Sequence, residues 1–225
     1  MLEAQAENLW SAHYEMTLPG GVPFPARMTV VRLGDGSLAL ISPVPIDNAL
    51  ATELAALGPV SHLIAPNLFH HLYLAAAKVR YPQARVVGPA GLAAKEPGLT
   101  FASPGADHGA PFQAALAATT VEGAPRAAET AWLHIPSRTL VAADLVFNVE
   151  TAPSWKTSVT LQIMGTRGRL AQSRLWSFLV TDKTSARESC RRILALDFDR
   201  LIVAHGSVIA SGAKERLAAA MTRTC

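Results

Sequence analysis

Two tight connections set the architecture. Gly34-Asp35-Gly36 joins the β-rich runs Met28 to Leu33 and Leu38 to Ser42, and Pro136-Ser137-Arg138 joins Ala131 to Ile135 with Thr139 to Ala143. Turn residues between short apolar runs read as hairpins, so antiparallel strands are expected in both halves of the chain. Helices alternate with the remaining strands. Asp47 caps a helix through about Leu57, in which Leu50, Leu54 and Leu57 share a face and Gly58-Pro59 end it. Val60 to Ala65 reads as a buried strand running into Pro66-Asn67, and a helix from about Phe69 to Arg80 follows. Arg85 to Val87 is a short strand, Gly88-Pro89 leads to a brief helix, and Glu96 to Pro111 is a long loop. Ala115 to Val121 is another strand. The capping box Ser185-Ala186-Arg187-Glu188 opens a helix to about Leu196, Leu201 to Ala204 is a buried strand, and Ser211 begins a final helix. Hairpins in both halves fit two packed, mixed β-sheets flanked by helices, an α/β sandwich of αββα type, better than one doubly wound sheet.

The length of 225 residues suits one domain, 1–225, in which the irregular stretch 145–181 is an elaboration over the core. The first residues before Met28 are read as irregular. A net charge of +3, spread along the chain, gives no basic patch for nucleic acid. Cys190 and Cys225 are too few for a disulfide framework, and Cys225 is expected at a frayed end. The acidic segment Met1 to Glu7 lacks the basic flank and apolar core of a secretory signal, and no apolar run reaches the ~18 residues of a membrane helix. A cytoplasmic protein with a small-molecule partner, and no nucleic-acid or membrane partner, is the expectation. Gly-x-Gly-x-x-Gly, the P-loop and the Gly-x-Ser-x-Gly elbow are absent from the sequence, which removes the dinucleotide, nucleotide and serine-hydrolase readings.

Metal-competent side chains stand where strands should end: His70-His71 after Val60 to Ala65, Asp144 after Thr139 to Ala143, and His205 after Leu201 to Ala204. Strand ends are where an α/β scaffold presents reactive groups. Any one histidine taken singly is more often a hydrogen-bonded structural residue, but three strands delivering such groups in one direction form a candidate site. Adjacent residues on a regular helix diverge by about 100°, so His70 and His71 converge only in a loop. His62 and His134 lie inside strands, and His13 and His108 in loops; these four are read as structural. Asp107-His108 fits a solvated turn. Trp155, Trp176 and Phe178 are expected in the core, with a pocket wall or a homodimer patch as alternatives. Lys156, Arg167 and Arg169 are solvated cations or guides for an anionic substrate. Asn67 and Ser207 stand near enough to hydrogen-bond the site's ligands.

These motifs resemble the metallo-β-lactamase superfamily over most of the chain. Ala65 to His71 occupies the place of its His-x-His-x-Asp-His motif, Gly123-Ala124 that of Gly-His, Ala143-Asp144 that of the bridging Asp, and His205-Gly206 that of the last His. The segment Asp199 to Ser207 is especially similar to a bacterial branch known as a domain of unknown function. The resemblance implies loss of one metal position, since Pro66, Leu68 and Ala124 stand for its three histidines. It implies retention of the other through His70, His71, Asp144 and His205. Zn²⁺ suits such ligands best, with Fe, Ni or Mn as alternatives. The implied activity is hydrolysis of an ester, lactone, thioester, amide or phosphoester by water whose pKa a single metal lowers from ~15.7 to about 7, with Asp144 orienting that water. Two alternatives stay open: a closed four-ligand structural site, and a non-catalytic binding protein with a degenerate site. A redox role is a weaker third, because that chemistry in the superfamily uses two metals.

Overall fold

The computed structural model describes residues 1–224, so Cys225 lies outside the described residues. In chain order the elements are β1 (Leu2–Ala6), β2 (Leu9–Leu18), β3 (Val22–Arg32), β4 (Leu38–Ile41), α1 (Asn48–Leu57), β5 (Val60–Ile64), α2 (Leu74–Arg80), β6 (Arg85–Val87), a 3-10 turn (Ala90–Ala94) and β7 (Phe101–Ala102). There follow α3 (Ala110–Ala115), β8 (Leu116–Thr120), β9 (Thr130–His134), β10 (Thr139–Ala142), α4 (Trp155–Met164), α5 (Arg174–Leu179), α6 (Lys183–Ala195), β11 (Arg200–Val203) and α7 (Ala213–Ala220). They build a seven-stranded sheet in simple sequence order, β1 to β7, and a four-stranded sheet in the order β11-β10-β9-β8. Both sheets are mixed. β1 to β4 pair antiparallel and β4 to β7 parallel, while β10 is antiparallel to β9 and parallel to β11.

Side-chain alternation explains the layers. In β3 and β4, Val31, Ala39 and Ile41 point inward, where they meet Trp132 of β9, Val141 of β10 and Ile202 of β11 in a core between the sheets. The opposite residues, Val30, Leu38 and Leu40, pack outward on Leu50 and Leu54 of α1 and Leu74 of α2. On the far side Leu140, Leu201 and Val203 meet Ile193 of α6 and Leu217 of α7. The result is the expected αββα sandwich.

Several expectations are corrected at the ends of elements. The first residues are not irregular: β1 and β2 form a hairpin turned at Asn8, whose φ of 57° is the left-handed value that Asn tolerates. The helix expected from Phe69 begins only at Leu74, because Asn67 holds the preceding residues in a turn. The loop from Glu96 to Pro111 contains β7 and the start of α3. α6 starts at Lys183 because Asp182, not Ser185, accepts the first free amides, from Thr184 (2.9 Å) and Ser185 (3.2 Å). Within 145–181, α4 and α5 emerge where no amphipathic period was visible. Leu161 of α4 is buried, yet Trp155, Val159 and Ile163 on successive turns are exposed, so apolar residues cover both faces. Among the described residues no helix is long and apolar enough to cross a membrane.

Candidate metal centre

Parallel pairing places the first two groups. The last register pair between β10 and β11 is Ala142 with Val203, so Asp144 and His205, each two residues further on, leave the same edge of the sheet side by side. Gly206 makes that edge possible. Its φ of 113° and its approach to Asn148 leave no room for a side chain, since a methyl there would overlap the Asn148 carbonyl oxygen. The tight crossing is closed by Asn148 N–H on the His205 carbonyl (3.0 Å) and Ser207 N–H on the Asn148 carbonyl (2.8 Å).

The third group comes from the other sheet. After β5 the chain crosses to β9, where Thr130 N–H donates to the Pro66 carbonyl (2.8 Å) and Leu68 N–H to the Ala127 carbonyl (2.9 Å). Asn67 then bends the chain, its Oδ1 accepting from Phe69 N–H (2.8 Å) and His70 N–H (2.9 Å). That turn swings His70 inward. The Nε2 atoms of His70 and His205 lie 3.2 Å apart, and each lies 3.4 Å from a different oxygen of Asp144.

The partners behind this triangle orient it. His205 Nδ1 sits 2.7 Å from the Pro25 carbonyl, which only accepts, so Nδ1 carries a proton and Nε2 is the atom turned to the triangle. Phe147 stacks on that ring and Phe24 meets it edge-on, with centroids 5.1 and 5.2 Å away. His70 Nδ1 lies 2.6 Å from Ser42 Oγ, and Ser42 adopts a left-handed φ of 56° directly after β4. A serine held there costs on the order of 1 kcal/mol, and such strain is concentrated at functional sites.

Beneath Asp144 lies a second carboxylate. Glu129 is fully buried and accepts from Asn67 Nδ2 (2.6 Å), Ala143 N–H (2.8 Å), Asp144 N–H (3.2 Å) and Leu145 N–H (3.3 Å). Asn67 Nδ2 also donates to Asp144 Oδ2 (2.7 Å). Burial, and then the neighbouring Asp144 charge, push the Glu129 carboxyl up to about 7. Burial pushes Asp144 the same way, but the charge of His70 and hydrogen bonds from His205 and His70 outweigh it and hold that carboxyl below its usual range.

Of the four ligands expected at the retained position, the structure brings together His70, Asp144 and His205 and sets His71 apart. His71 turns away from the triangle and places Nδ1 2.7 Å from Glu96 Oε1. One residue of separation along the turn after Asn67 sends the two rings in different directions, and a carboxylate captures the second. Ala124 is buried in the apolar layer under α6, and Gly123 gives its carbonyl to Thr181 and Asp182 at the start of that helix. Asn67 sits between the two carboxylates, whereas Ser207 bonds Glu150 (3.2 Å) and Lys156 bonds the Gly20 carbonyl (3.1 Å). Trp176 is buried, as expected, but Trp155 and Phe178 are each 74% exposed. Glu129 and Ser42 were not singled out from sequence. The signal for Glu129 was an acidic residue at the mouth of the wholly buried strand β9.

The donor set fits a divalent cation. For bonds of about 2.0–2.1 Å in a tetrahedral arrangement, neighbouring donor atoms must stand roughly 3.3–3.4 Å apart, and the three separations are 3.2, 3.4 and 3.4 Å. Two imidazole nitrogens and a carboxylate converging on one point are the ligand types that a borderline cation such as zinc takes.

The sequence matches the model of a family described as "Domain of unknown function (DUF4336)" over residues 6–162. The chain belongs to the DUF4336 family. No curated protein matches it in sequence. Solved structures of metallo-β-lactamases match this DUF4336 chain along its whole length. The enzyme from Hirschia baltica has a TM-score of 0.64 at 13% identity, covering 100% of this chain and 97% of that one. FIM-1 from Pseudomonas aeruginosa, in its mono-zinc form, has a TM-score of 0.64 at 13% identity, covering 100% and 94%. The protein from Pontibacter korlensis has a TM-score of 0.64 at 12% identity, covering 100% and 98%. The fold is therefore that of the metallo-β-lactamases.

Proposed function

We propose that this chain is a metal-dependent hydrolase that holds one divalent cation, zinc by preference, on His70, Asp144 and His205, and cleaves an ester, lactone or phosphoester. The observation that carries the reading is the triangle of two imidazole nitrogens and a carboxylate, each backed by its own hydrogen-bond partner and open to a cavity of about 460 Å³. Three protein ligands favour catalysis over a structural role. Structural zinc normally takes four, whereas a catalytic site keeps a position for water or substrate, and His71 stands outside the group of ligand atoms that converge here.

A cation there would supply Lewis acidity, lowering the pKa of a water toward 7 and polarising the substrate oxygen. The chain's own residues do the rest. Asp144 offsets the cation's charge and orients the attacking water through the oxygen that Asn67 does not fix. Pro25 and Ser42 hold the two rings in register, and Phe24 and Phe147 keep bulk water from the His205 ring.

The test is turnover by zinc-loaded protein against nitrophenyl esters, lactones and phosphoesters, with Asp144→Ala as control. The expected result is measurable hydrolysis that falls at least about 100-fold in Asp144→Ala, with an unchanged circular dichroism spectrum. Activity that survives full removal of metal by a chelator would overturn the reading.

A further inference from the structure

The cavity over the triangle has a character of its own. Its walls are Met16 and Phe24 from the first sheet and Met164 and Leu179 from α4 and α5, so the 145–181 segment forms its roof. Leu72 and Leu175 stand at its opening, 59% and 54% exposed, so the approach from solvent is apolar as well. Polar side chains on the walls are engaged elsewhere. Ser173 Oγ accepts from Trp176 N–H at the start of α5 (3.2 Å), Ser42 Oγ bonds His70 Nδ1 (2.6 Å), and His71 pairs with Glu96. Lys95, the cation lining the cavity, donates to the Leu68 carbonyl at 2.7 Å and lies over the Phe69 ring.

A phosphoester would bring negative charge into this space. Recognition of phosphate calls for several cationic or N–H donors aimed at its oxygens, and here the wall offers one committed lysine and the Asp144 carboxylate, with Glu129 buried behind it. A neutral, elongated group meets no such conflict. At about 30 Å³ per non-hydrogen atom, the liquid volume of a water molecule, 460 Å³ holds on the order of fifteen such atoms.

We propose that the substrate is an uncharged carboxylic ester whose straight apolar acyl chain, of about eight to twelve carbons, fills this cavity with its carbonyl at the triangle. The proposal rests on the hydrolase reading. Water adds its oxygen to the acyl carbon, the acyl carbon–oxygen bond breaks, and the alcohol leaves, giving one carboxylate, one alcohol and one proton. Met16 and Met164 suit a chain of variable length, because the unbranched thioether repacks easily.

Two series test it on the zinc-loaded full chain: turnover of 4-nitrophenyl acetate, butyrate, octanoate, decanoate and phosphate, and binding of straight-chain methyl ketones of matching lengths, read by tryptophan fluorescence. Each methylene buried should raise kcat/KM and ketone affinity up to about fourfold, levelling off near ten carbons, with the phosphate at least about 100-fold poorer than the octanoate. Met164→Trp should move the optimum to shorter chains. A flat chain-length profile in both series, or preference for the phosphate, would overturn the proposal. Chain-dependent ketone binding without turnover of any ester would refute the hydrolase reading and leave the apolar acyl site standing.

Discussion

Removing the Glu129 side chain should destabilise the fold more than its single position suggests. In Glu129→Ala the backbone N–H groups of Ala143, Asp144 and Leu145, now bonded at 2.8, 3.2 and 3.3 Å, lose their acceptor in a site closed to solvent. An orphaned buried donor costs about 1–3 kcal/mol. Taking about 2 for the short bond and about 1 for each longer one gives about 4 kcal/mol. Asn67 keeps its bond to Asp144. Relief of the burial cost, and then of the Asp144 repulsion, that together raise the Glu129 carboxyl to about 7 offsets part of the loss, leaving roughly 3 kcal/mol net. Glu129→Gln keeps one oxygen acceptor but turns an N–H₂ toward another donor, so its cost should be about 1–2 kcal/mol. Urea unfolding of the metal-free proteins, followed by tryptophan fluorescence, reads both values without linkage to metal binding. With an m-value of about 2 kcal/mol/M, Glu129→Ala should lower the midpoint by about 1.5 M. A shift under about 0.3 M, or a larger loss in Glu129→Gln than in Glu129→Ala, would refute the reasoning.

Other perturbations separate stability from metal binding. Ser42→Gly should relieve the left-handed backbone at φ 56° and raise the metal-free melting temperature slightly, while loss of the hydroxyl on His70 Nδ1 weakens zinc affinity about 10–100-fold in a competition titration. Gly206→Ala should cost several kcal/mol, read as a large drop in melting temperature, because its methyl meets the Asn148 carbonyl. Burial lowers the fully enclosed His134 to about 4. Both folded and unfolded states are neutral there above about pH 6.5, and as pH falls only the unfolded state takes the proton, so stability is lost between about 6.5 and 4, on the order of 3 kcal/mol in all. His134→Gln should flatten that part of the stability curve measured by urea unfolding.

The sequence made the layers legible wherever period and punctuation agreed. The hairpin at Gly34-Asp35-Gly36, the Asp47 cap and the buried strand before His205 all stand as read, because each depends on local chemistry that packing reinforces. Local pattern failed where tertiary contacts decide. β1, half-buried at the sheet edge, carries no strong alternation, and α4 hides its helical period because Trp155, Val159 and Ile163 are apolar yet exposed. Asp144 and His205 do follow the ends of strands, and they come side by side because β10 and β11 are parallel and in register. His70 and His71 could not be told apart, because the direction of each ring is set by partners far off in sequence, Ser42 for one and Glu96 for the other. The role of Glu129 is not legible locally for a similar reason: beyond its place before a buried strand, it comes from four donors on segments that meet only in the folded chain.

That distinction between neighbours also offers the most direct test of the metal centre. Elemental analysis of protein purified without chelator, together with zinc titration of the His70→Ala, His71→Ala and His205→Ala variants, measures which rings hold the ion. The account predicts about one divalent metal per chain, lost in His70→Ala and His205→Ala and kept in His71→Ala. Loss in His71→Ala with retention in His70→Ala would contradict it, and so would a wild-type protein that binds less than about a tenth of an equivalent even with zinc added.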